Sequence, residues 1–198
     1  YYAKVGEGMK KIVIIGGGAA GLMAAVSAAK ELGSTPYSMT VIEKNSRPAR
    51  KVMITGKGRC NVTNNCDVNT LIANTPKNGK FLYSAFNKYN SQDTMSFFEN
   101  MGVPLKTERG NRVFPQSDKS VDIVDALVKQ AQKNCDIIEG EAQAILAPNG
   151  YVKAVKLADG KIIDADSVII ATGGMSYPTT GSTGDGYKMA KTLGHTVT

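Results

Sequence analysis

Ile12-Val13-Ile14-Ile15-Gly16-Gly17-Gly18-Ala19-Ala20-Gly21 decides the fold. A β-branched run feeds straight into Gly-x-Gly-x-x-Gly and then into an alanine-rich segment, the order of a strand, a tight turn and a helix reaching Leu32. Gly16 takes the turn, Gly18 removes the side chain that would block a pyrophosphate, and Gly21 lets the helix lie close on the strand. The helix opening, with Ala19 and Ala20, then faces the phosphates with unpaired N–H groups and the positive end of its dipole. The predicted ligand is a dinucleotide such as FAD or NAD(P).

Such a unit needs an acid at the end of a second parallel strand, where a carboxylate accepts hydrogen bonds from the adenosine ribose. Glu43 fits, closing Met39-Thr40-Val41-Ile42-Glu43 after the breaker segment Gly33-Ser34-Thr35-Pro36. Its distance from the glycines slightly exceeds the usual roughly 20 residues. The competing reading is an ordinary glutamate at an exposed strand end.

Composition agrees with a cytoplasmic α/β protein. The 198 residues, 42% hydrophobic, suffice for a real core. No apolar run approaches the roughly 18 residues of a transmembrane helix, and no secretory signal is expected. Cys60, Cys66 and Cys135 are odd in number and lack Cys-x-x-Cys spacing, which suggests a reducing compartment and no dithiol centre. With His195 as the only histidine, no metal site is expected. A net charge of +7 and a pI near 9.3 leave RNA open as a partner.

Along the chain, residues 1–8 read as an extension ahead of Met9-Lys10-Lys11. Phe81 to Met101 carries Leu82, Phe86, Tyr89, Phe97, Phe98 and Met101 at roughly helical spacing, predicting one or two helices with an aromatic stripe in the core. Gly102 to Pro115 reads as a hairpin turning at Gly110-Asn111, and Ser120 to Lys133 as an amphipathic helix leading to a third parallel strand at Cys135-Asp136-Ile137-Ile138-Glu139. Gln143–Leu146, Tyr151–Leu157 and Lys161–Asp164 form three short runs separated by Asn149-Gly150 and Asp159-Gly160, the dipeptides of two-residue hairpins. They predict an antiparallel meander. Asp166 to Gly174 then returns as a buried strand, and Asp185 opens a last helix. The end at Gly194–Thr198 stops where a further strand begins, so the domain is expected to continue.

Taken together, Gly16-Gly17-Gly18-Ala19-Ala20-Gly21, Glu43-Lys44, the segment Lys51-Val52-Met53-Ile54-Thr55-Gly56-Lys57-Gly58-Arg59-Cys60-Asn61-Val62-Thr63-Asn64, and Ala171-Thr172-Gly173-Gly174 resemble a bacterial FAD-dependent oxidoreductase family. That family contains YhiN-like, BaiN-like and aminoacetone-oxidase-like proteins, the HI0933-like flavoproteins. The resemblance runs from Met9 to the end, and its most specific part is Gly-Lys-Gly-Arg-Cys-Asn. It implies an α/β, Rossmann-like FAD-binding domain with a parallel sheet, helices and an inserted β-meander. Residues 9–198 would be the amino-terminal part of that discontinuous domain. The substrate domain and the carboxy-terminal return of the FAD domain are then absent from the chain.

Lys44 to Cys66 holds six bases, Lys44, Arg47, Arg50, Lys51, Lys57 and Arg59, and no acid, while Thr55-Gly56-Lys57-Gly58 supplies flexible backbone. Such a segment suits a diphosphate and flavin. Arg50 and Lys51 are placed beside the phosphates or ribityl chain; Thr55, Gly56, Arg59, Cys60 and Asn61 are placed along the flavin edge, mostly through backbone. A solvated basic loop is the alternative. The resemblance also implies a backbone contact from Ala142 to adenine, and a second crossing at Ala171, Thr172, Gly173 and Gly174 past ribose and pyrophosphate. Tyr177 or Thr180 would face the flavin or simply pack a turn. Cys60 reads as a small buried packing residue.

The implied activity is hydride transfer through FAD, with NAD(P)H as donor and a small molecule as substrate. Two other readings stay open: reduction of a nucleobase in RNA, and a non-catalytic dinucleotide-binding module. No catalytic acid or base is named, and the oligomeric state is not specified.

Overall fold

The computed structural model describes residues 8–197; of the extension read at 1–8, all but Gly8 lies outside them. Strand β1 (Lys10–Ile15) runs through the glycine turn into helix α1 (Ala19–Leu32), which Gly33 ends at φ 53 with its N–H on the Ala29 carbonyl. Strand β2 (Tyr37–Glu43) starts two residues earlier than its sequence pattern suggests. Then follow α2 (Arg50–Ile54), β3 (Thr63–Asn64), α3 (Val68–Ala73), a short 3-10 turn at Gly79–Leu82, α4 (Tyr83–Lys88) and α5 (Ser91–Asn100). The chain continues through β4 (Leu105–Glu108), β5 (Arg112–Pro115), α6 (Ser120–Gln132), β6 (Asp136–Glu139), β7 (Ala142–Leu146), β8 (Ala154–Leu157), β9 (Ile162–Asp164), β10 (Ser167–Ile170) and α7 (Asp185–Thr192).

These elements form two units, one running to Lys51 and resuming at Val128, the other Val52–Leu127. In the first, four parallel strands lie in the order β10-β1-β2-β6. Side-chain alternation sends Val13, Ile15 and Ile42 to one face, where Ile145, Val155 and Leu157 of the antiparallel meander β7-β8-β9 and Met189 of α7 complete a core. Ile14 and Val41 alternate to the opposite face, the side of α1 with its buried Leu22 and Ala25. This is the Rossmann-like sheet with helices and an inserted meander that the sequence predicts.

Two details differ. The returning strand β10 is not fully buried: it is the edge of the sheet, and Ser167 and Ile170 are exposed. The pairing of β7 with β8 ends at Leu146 and Ala154, so Asn149-Gly150 sits within the longer connection 147–153 rather than in a two-residue hairpin. Asp159-Gly160 does make the expected tight return, with Gly160 at φ +89 and Lys161 N–H on the Asp159 carboxylate at 2.9 Å.

The second unit holds the three-stranded sheet β3-β5-β4, whose hairpin turns at Gly110-Asn111 as read. Val113, Phe114, Ile123, Val124 and Leu127 are buried there, as are Phe98, Val103 and Leu105. The aromatic stripe is core only in part. Asn90 caps α5 by a capping box with Asp93, which divides the run into separate helices; Phe98 is buried, Leu82, Phe86, Phe97 and Met101 are half-buried, and Tyr89 is 41% exposed.

Candidate functional site

The three glycines of the fingerprint serve different ends. Gly16 has φ +106, and a β-carbon there would lie 2.5 Å from the Ala171 carbonyl oxygen; one at Gly21 would lie 1.8 Å from that of Gly16. Both are demanded by the fold itself. Gly18 has φ −77 and ψ −175, open to any residue, and a β-carbon there meets nothing within 4 Å. Neither conformation nor packing among the described residues requires glycine at 18. A ligand in that space would, and the adjoining α1 N-terminus has no side-chain cap to satisfy its first N–H groups. Ala19 and Ala20 are exposed at this opening. The cradle fits a diphosphate.

Glu43 is 8% exposed and its carboxylate is fixed on both sides. Oε2 accepts the Gly17 N–H at 2.8 Å; Oε1 accepts the Asn45 backbone N–H at 2.8 Å and the Asn45 side-chain amide at 2.5 Å. Arg50 in turn donates to Asn45 Oδ1 at 2.9 Å. Three of about four lone-pair positions are used by hydrogen bonds among the described residues. Asn45 is a residue that motif reading misses; its signal is an amide two positions past the strand-end acid. Its neighbour Lys44 turns elsewhere, to Thr183 Oγ1 at 2.7 Å and Asp185 at 2.9 Å, so its ammonium ties down the start of α7. The Thr183 hydroxyl and Lys44 together hold the Asp185 carboxyl below its ordinary range.

The second glycine stretch adjoins the first. Ala171 donates its N–H to the Ile15 carbonyl at 2.8 Å, and Gly173 has φ +74. Ala142 opens β7 two residues past Gly140, whose N–H bonds the Glu43 carbonyl at 2.9 Å. On the other flank the Ala49 N–H holds the Gly17 carbonyl at 2.9 Å. Lys51, two residues on, reaches the Ser176 carbonyl at 3.3 Å and stands 5.4 Å from the centre of the Tyr177 ring. Gly16, Gly18, Ala19, Ala20, Gly21, Glu43, Lys44, Arg50, Lys51, Ala142, Ala171, Thr172, Gly173 and Gly174 thus all fall in the first unit.

Thr55, Gly56, Gly58, Arg59, Cys60 and Asn61 fall in the second. Their loop is a wound turn rather than flexible backbone: Gly56, Lys57, Gly58 and Cys60 all have positive φ, and Cys60 donates its N–H to the Thr55 carbonyl at 3.0 Å. A β-carbon at Gly56 would lie 2.9 Å from the Asn61 nitrogen and 3.0 Å from Phe114, so the turn closes only on glycine. Asn61, with its amide oriented to bond, donates to the Val113 and Thr63 carbonyls. Burial pushes the Cys60 thiol up, away from thiolate, as suits a packing residue.

Arg59 commits its guanidinium to Glu108 at 2.9 and 3.3 Å and to Asp118 at 3.1 Å, stacked 4.0 Å from the centre of the Phe114 ring. Lys106 joins at Asp118, 2.6 Å. Arg59 and Lys106 hold the carboxyls of Glu108 and Asp118 below their ordinary values. A carboxyl depressed in the folded state stabilises above its unfolded pKa of about 4 and loses that contribution as pH falls through the folded value. Arg59→Gln is therefore expected to melt below the parent at neutral pH, and the two melting curves are expected to converge as pH drops below about 4. Thermal unfolding across pH 2 to 8, taken as a range of about six units, checks this. Added salt should shrink the neutral-pH gap, because the cluster is open to solvent.

Among the described residues no three of His, Cys, Asp and Glu are placed to hold a metal, and no helix is long and apolar enough to cross a membrane.

Residues 10–198 match the model of the HI0933-like protein Rossmann domain. The chain is 33% identical over 193 residues to a 3-dehydro-bile acid delta(4,6)-reductase of Clostridium scindens, covering 96% of this chain and 45% of that protein. It is 26% identical to the ribosomal RNA dihydrouridine synthase of Escherichia coli, over 92% of this chain and 44% of the relative. The chain thus spans a little under half the length of these relatives. Among solved structures, the quinol fumarate reductase of Escherichia coli superposes with a TM-score of 0.61 at 18% identity, over 84% of this chain and 33% of its own, a likeness of fold. The glycine cradle, the pinned Glu43 and these matches lead to one assignment: the chain belongs to the HI0933-like family, and residues 10–198 are its Rossmann domain.

Proposed function

We propose that the chain is the amino-terminal part of a discontinuous FAD-binding domain in an FAD-dependent oxidoreductase. The observation that carries this is Gly18, a glycine the protein fold does not need, at an uncapped helix N-terminus beside a fixed, buried Glu43. FAD, when bound, supplies hydride transfer, taking electrons from a donor such as NAD(P)H and passing them to an acceptor. The chain's own residues bind and orient. The first N–H groups of α1 hold the diphosphate, the free side of the Glu43 carboxylate takes a ribose hydroxyl, and the Ala142 backbone meets adenine. The stretch from Ala171 to Gly174 gives room for the second crossing, and Arg50 and Lys51 flank it. By resemblance, the turn from Thr55 to Asn61 presents backbone groups to the flavin edge.

The two named relatives share an acceptor chemistry. A 3-dehydro bile acid with a delta-4 double bond and a uridine base both carry a carbon–carbon double bond polarised by a conjugated carbonyl. We take that bond as the group reduced here, in a small molecule or in an RNA base. The full-length natural protein, purified without added cofactor, is expected to be yellow and to release FAD on denaturation. Colourless protein that takes up NAD(P) but refuses FAD would make it a non-catalytic dinucleotide module instead.

A further inference from the structure

Three parallel strands end side by side at the glycine cradle. In the sheet β10 and β2 flank β1, so the residues that follow them, Gly173 on one side and Lys44-Asn45 on the other, stand to either side of the turn after β1. One segment of the chain reaches both. A β-carbon at Gly181 would lie 2.8 Å from the Asn45 amide nitrogen and 3.2 Å from Lys44 Cε, while one at Gly173 would lie 3.1 Å from the Ser182 hydroxyl. Ser182 is buried. The first turn of α7 then packs on the second glycine stretch, where a β-carbon at Gly186 would lie 2.3 Å from Thr172 Oγ1 and 2.8 Å from Ile170. Residues 181–186 therefore form a strap along the carboxyl edge of the sheet, the edge at which open α/β sheets take their ligands.

The backbone bonds of this segment are local, from the Gly181 N–H to the Pro178 carbonyl at 2.9 Å and from the Thr183 N–H to the Gly181 carbonyl at 3.1 Å. The tie to the end of β2 is made by Lys44. Its ammonium donates to Thr183 Oγ1 at 2.7 Å and to Asp185 at 2.9 Å, spending two of its three donors on the strap, and the Thr183 hydroxyl donates to the same Asp185 oxygen at 2.5 Å. The Lys44 and Asp185 side chains are 27% and 28% exposed, so either one left without the other is poorly compensated by water. Lys188, 80% exposed, stands 3.7 Å from the other Asp185 oxygen. The fastening bears on the cradle at two points. On one flank Gly181 presses on Asn45, whose amide holds Glu43; on the other α7 backs Thr172 and sets the Tyr187 hydroxyl beside Gly174.

We propose that Lys44 and Asp185 are positioning residues for the cofactor: their ion pair clasps the strap, and the strap holds Asn45 and the Thr172–Gly174 backbone in the arrangement that binds FAD. This rests on the flavin reading and deepens it, and it makes Lys44 a clasp where the basic run in the sequence suggested a phosphate contact.

The two roles of Lys44 predict opposite signs at Asp185. A phosphate-binding Lys44 would be freed by Asp185→Asn, and FAD would bind more tightly. A clasp is broken by it, so Asp185→Asn is expected to weaken FAD about 5- to 30-fold, and Lys44→Met by a similar factor. The double variant is expected to bind within about 3-fold of either single one, because all three remove the same ion pair. Lys44→Arg, which keeps the charge, is expected to retain most of the affinity. The full-length natural protein, stripped of cofactor, is titrated with FAD by quenching of flavin fluorescence, and the visible circular dichroism of the bound flavin reports its setting. Urea unfolding without cofactor separates positioning from plain destabilisation: below the unfolding transition, a merely structural pair would leave the FAD affinity of the folded protein unchanged. Asp185→Asn protein that binds FAD as tightly as its parent or more tightly overturns the proposal, as do losses that add in the double variant. Should a single variant fail to fold, the double variant, which leaves neither partner charged, carries the test, and parental affinity in it overturns the clasp. A parent that refuses FAD overturns this proposal together with the flavin reading, whereas a parent that binds FAD beside an unaffected Asp185→Asn overturns the clasp alone.

Discussion

Gly18→Val is expected to give a folded protein that does not take up FAD, while Gly21→Val is expected not to fold at all. The two glycines sit three residues apart in one motif, yet the structure assigns them opposite debts. Position 18 has extended backbone that a β-branched residue adopts freely and no neighbour within 4 Å of the new β-carbon; only glycine's advantage as the N-cap of α1 is lost, so unfolding free energy should fall by about 1 kcal/mol or less. The two methyl groups would occupy the diphosphate path, and affinity for FAD should fall at least about 100-fold, about 2.7 kcal/mol. At position 21 the first carbon of any side chain overlaps the Gly16 carbonyl oxygen, so α1 must lift off β1, at a cost above about 3 kcal/mol. Urea unfolding and FAD titration of the full-length protein measure both quantities. A Gly18→Val protein that stays fully flavinated would displace the diphosphate from the helix opening and with it the cofactor reading.

The contrast shows what the sequence could and could not disclose. Strand, glycines, helix and strand-end acid were readable because each follows from local chemistry: β-branched periodicity, turn residues, and a short path between them. The meander was readable from its turn dipeptides, although Asn149-Gly150 marks only one corner of a seven-residue connection, since pairing stops at Leu146 and Ala154. What held only in part was the inference from periodicity to burial. Phe81 to Met101 has helical spacing, but spacing says which residues share a face and not whether anything covers that face; Asn90 then splits the run. Charge patterning was incomplete in a similar way. Six bases without an acid from Lys44 to Cys66 suggested an anion-binding loop, and for two of them, Lys44 and Arg59, the structure adds acid partners far off in sequence, at Asp185, Glu108 and Asp118. Such long-range pairs are set by the fold and leave no local trace.

Glu43→Gln is expected to damage both folding and cofactor binding, although it changes neither size nor shape. Both oxygens of the Glu43 carboxylate face N–H groups, Gly17 on one side and Asn45 twice on the other. A glutamine amide must turn its NH2 toward one of them, and either orientation sets donor against donor in a buried place. One backbone N–H loses its acceptor, which costs about 1–3 kcal/mol of stability. Should the NH2 face Gly17, the turn that shapes the cradle loosens; should it face Asn45, the amide that positions both Glu43 and Arg50 swings away. The ribose contact weakens on either path, so FAD affinity should fall about 10-fold or more, in line with a loss of about 1.4 kcal/mol. Asn45→Ala separates the two consequences: with Gly17 still paired to Oε2, stability should fall less than in Glu43→Gln, and FAD affinity should still fall because one oxygen of the carboxylate has lost its side-chain donor. Urea unfolding without cofactor, set beside FAD titration, gives the comparison. A Glu43→Gln protein as stable as its parent would mean that the carboxylate is not the acceptor for Gly17, and that the glycine turn is shaped by the backbone alone.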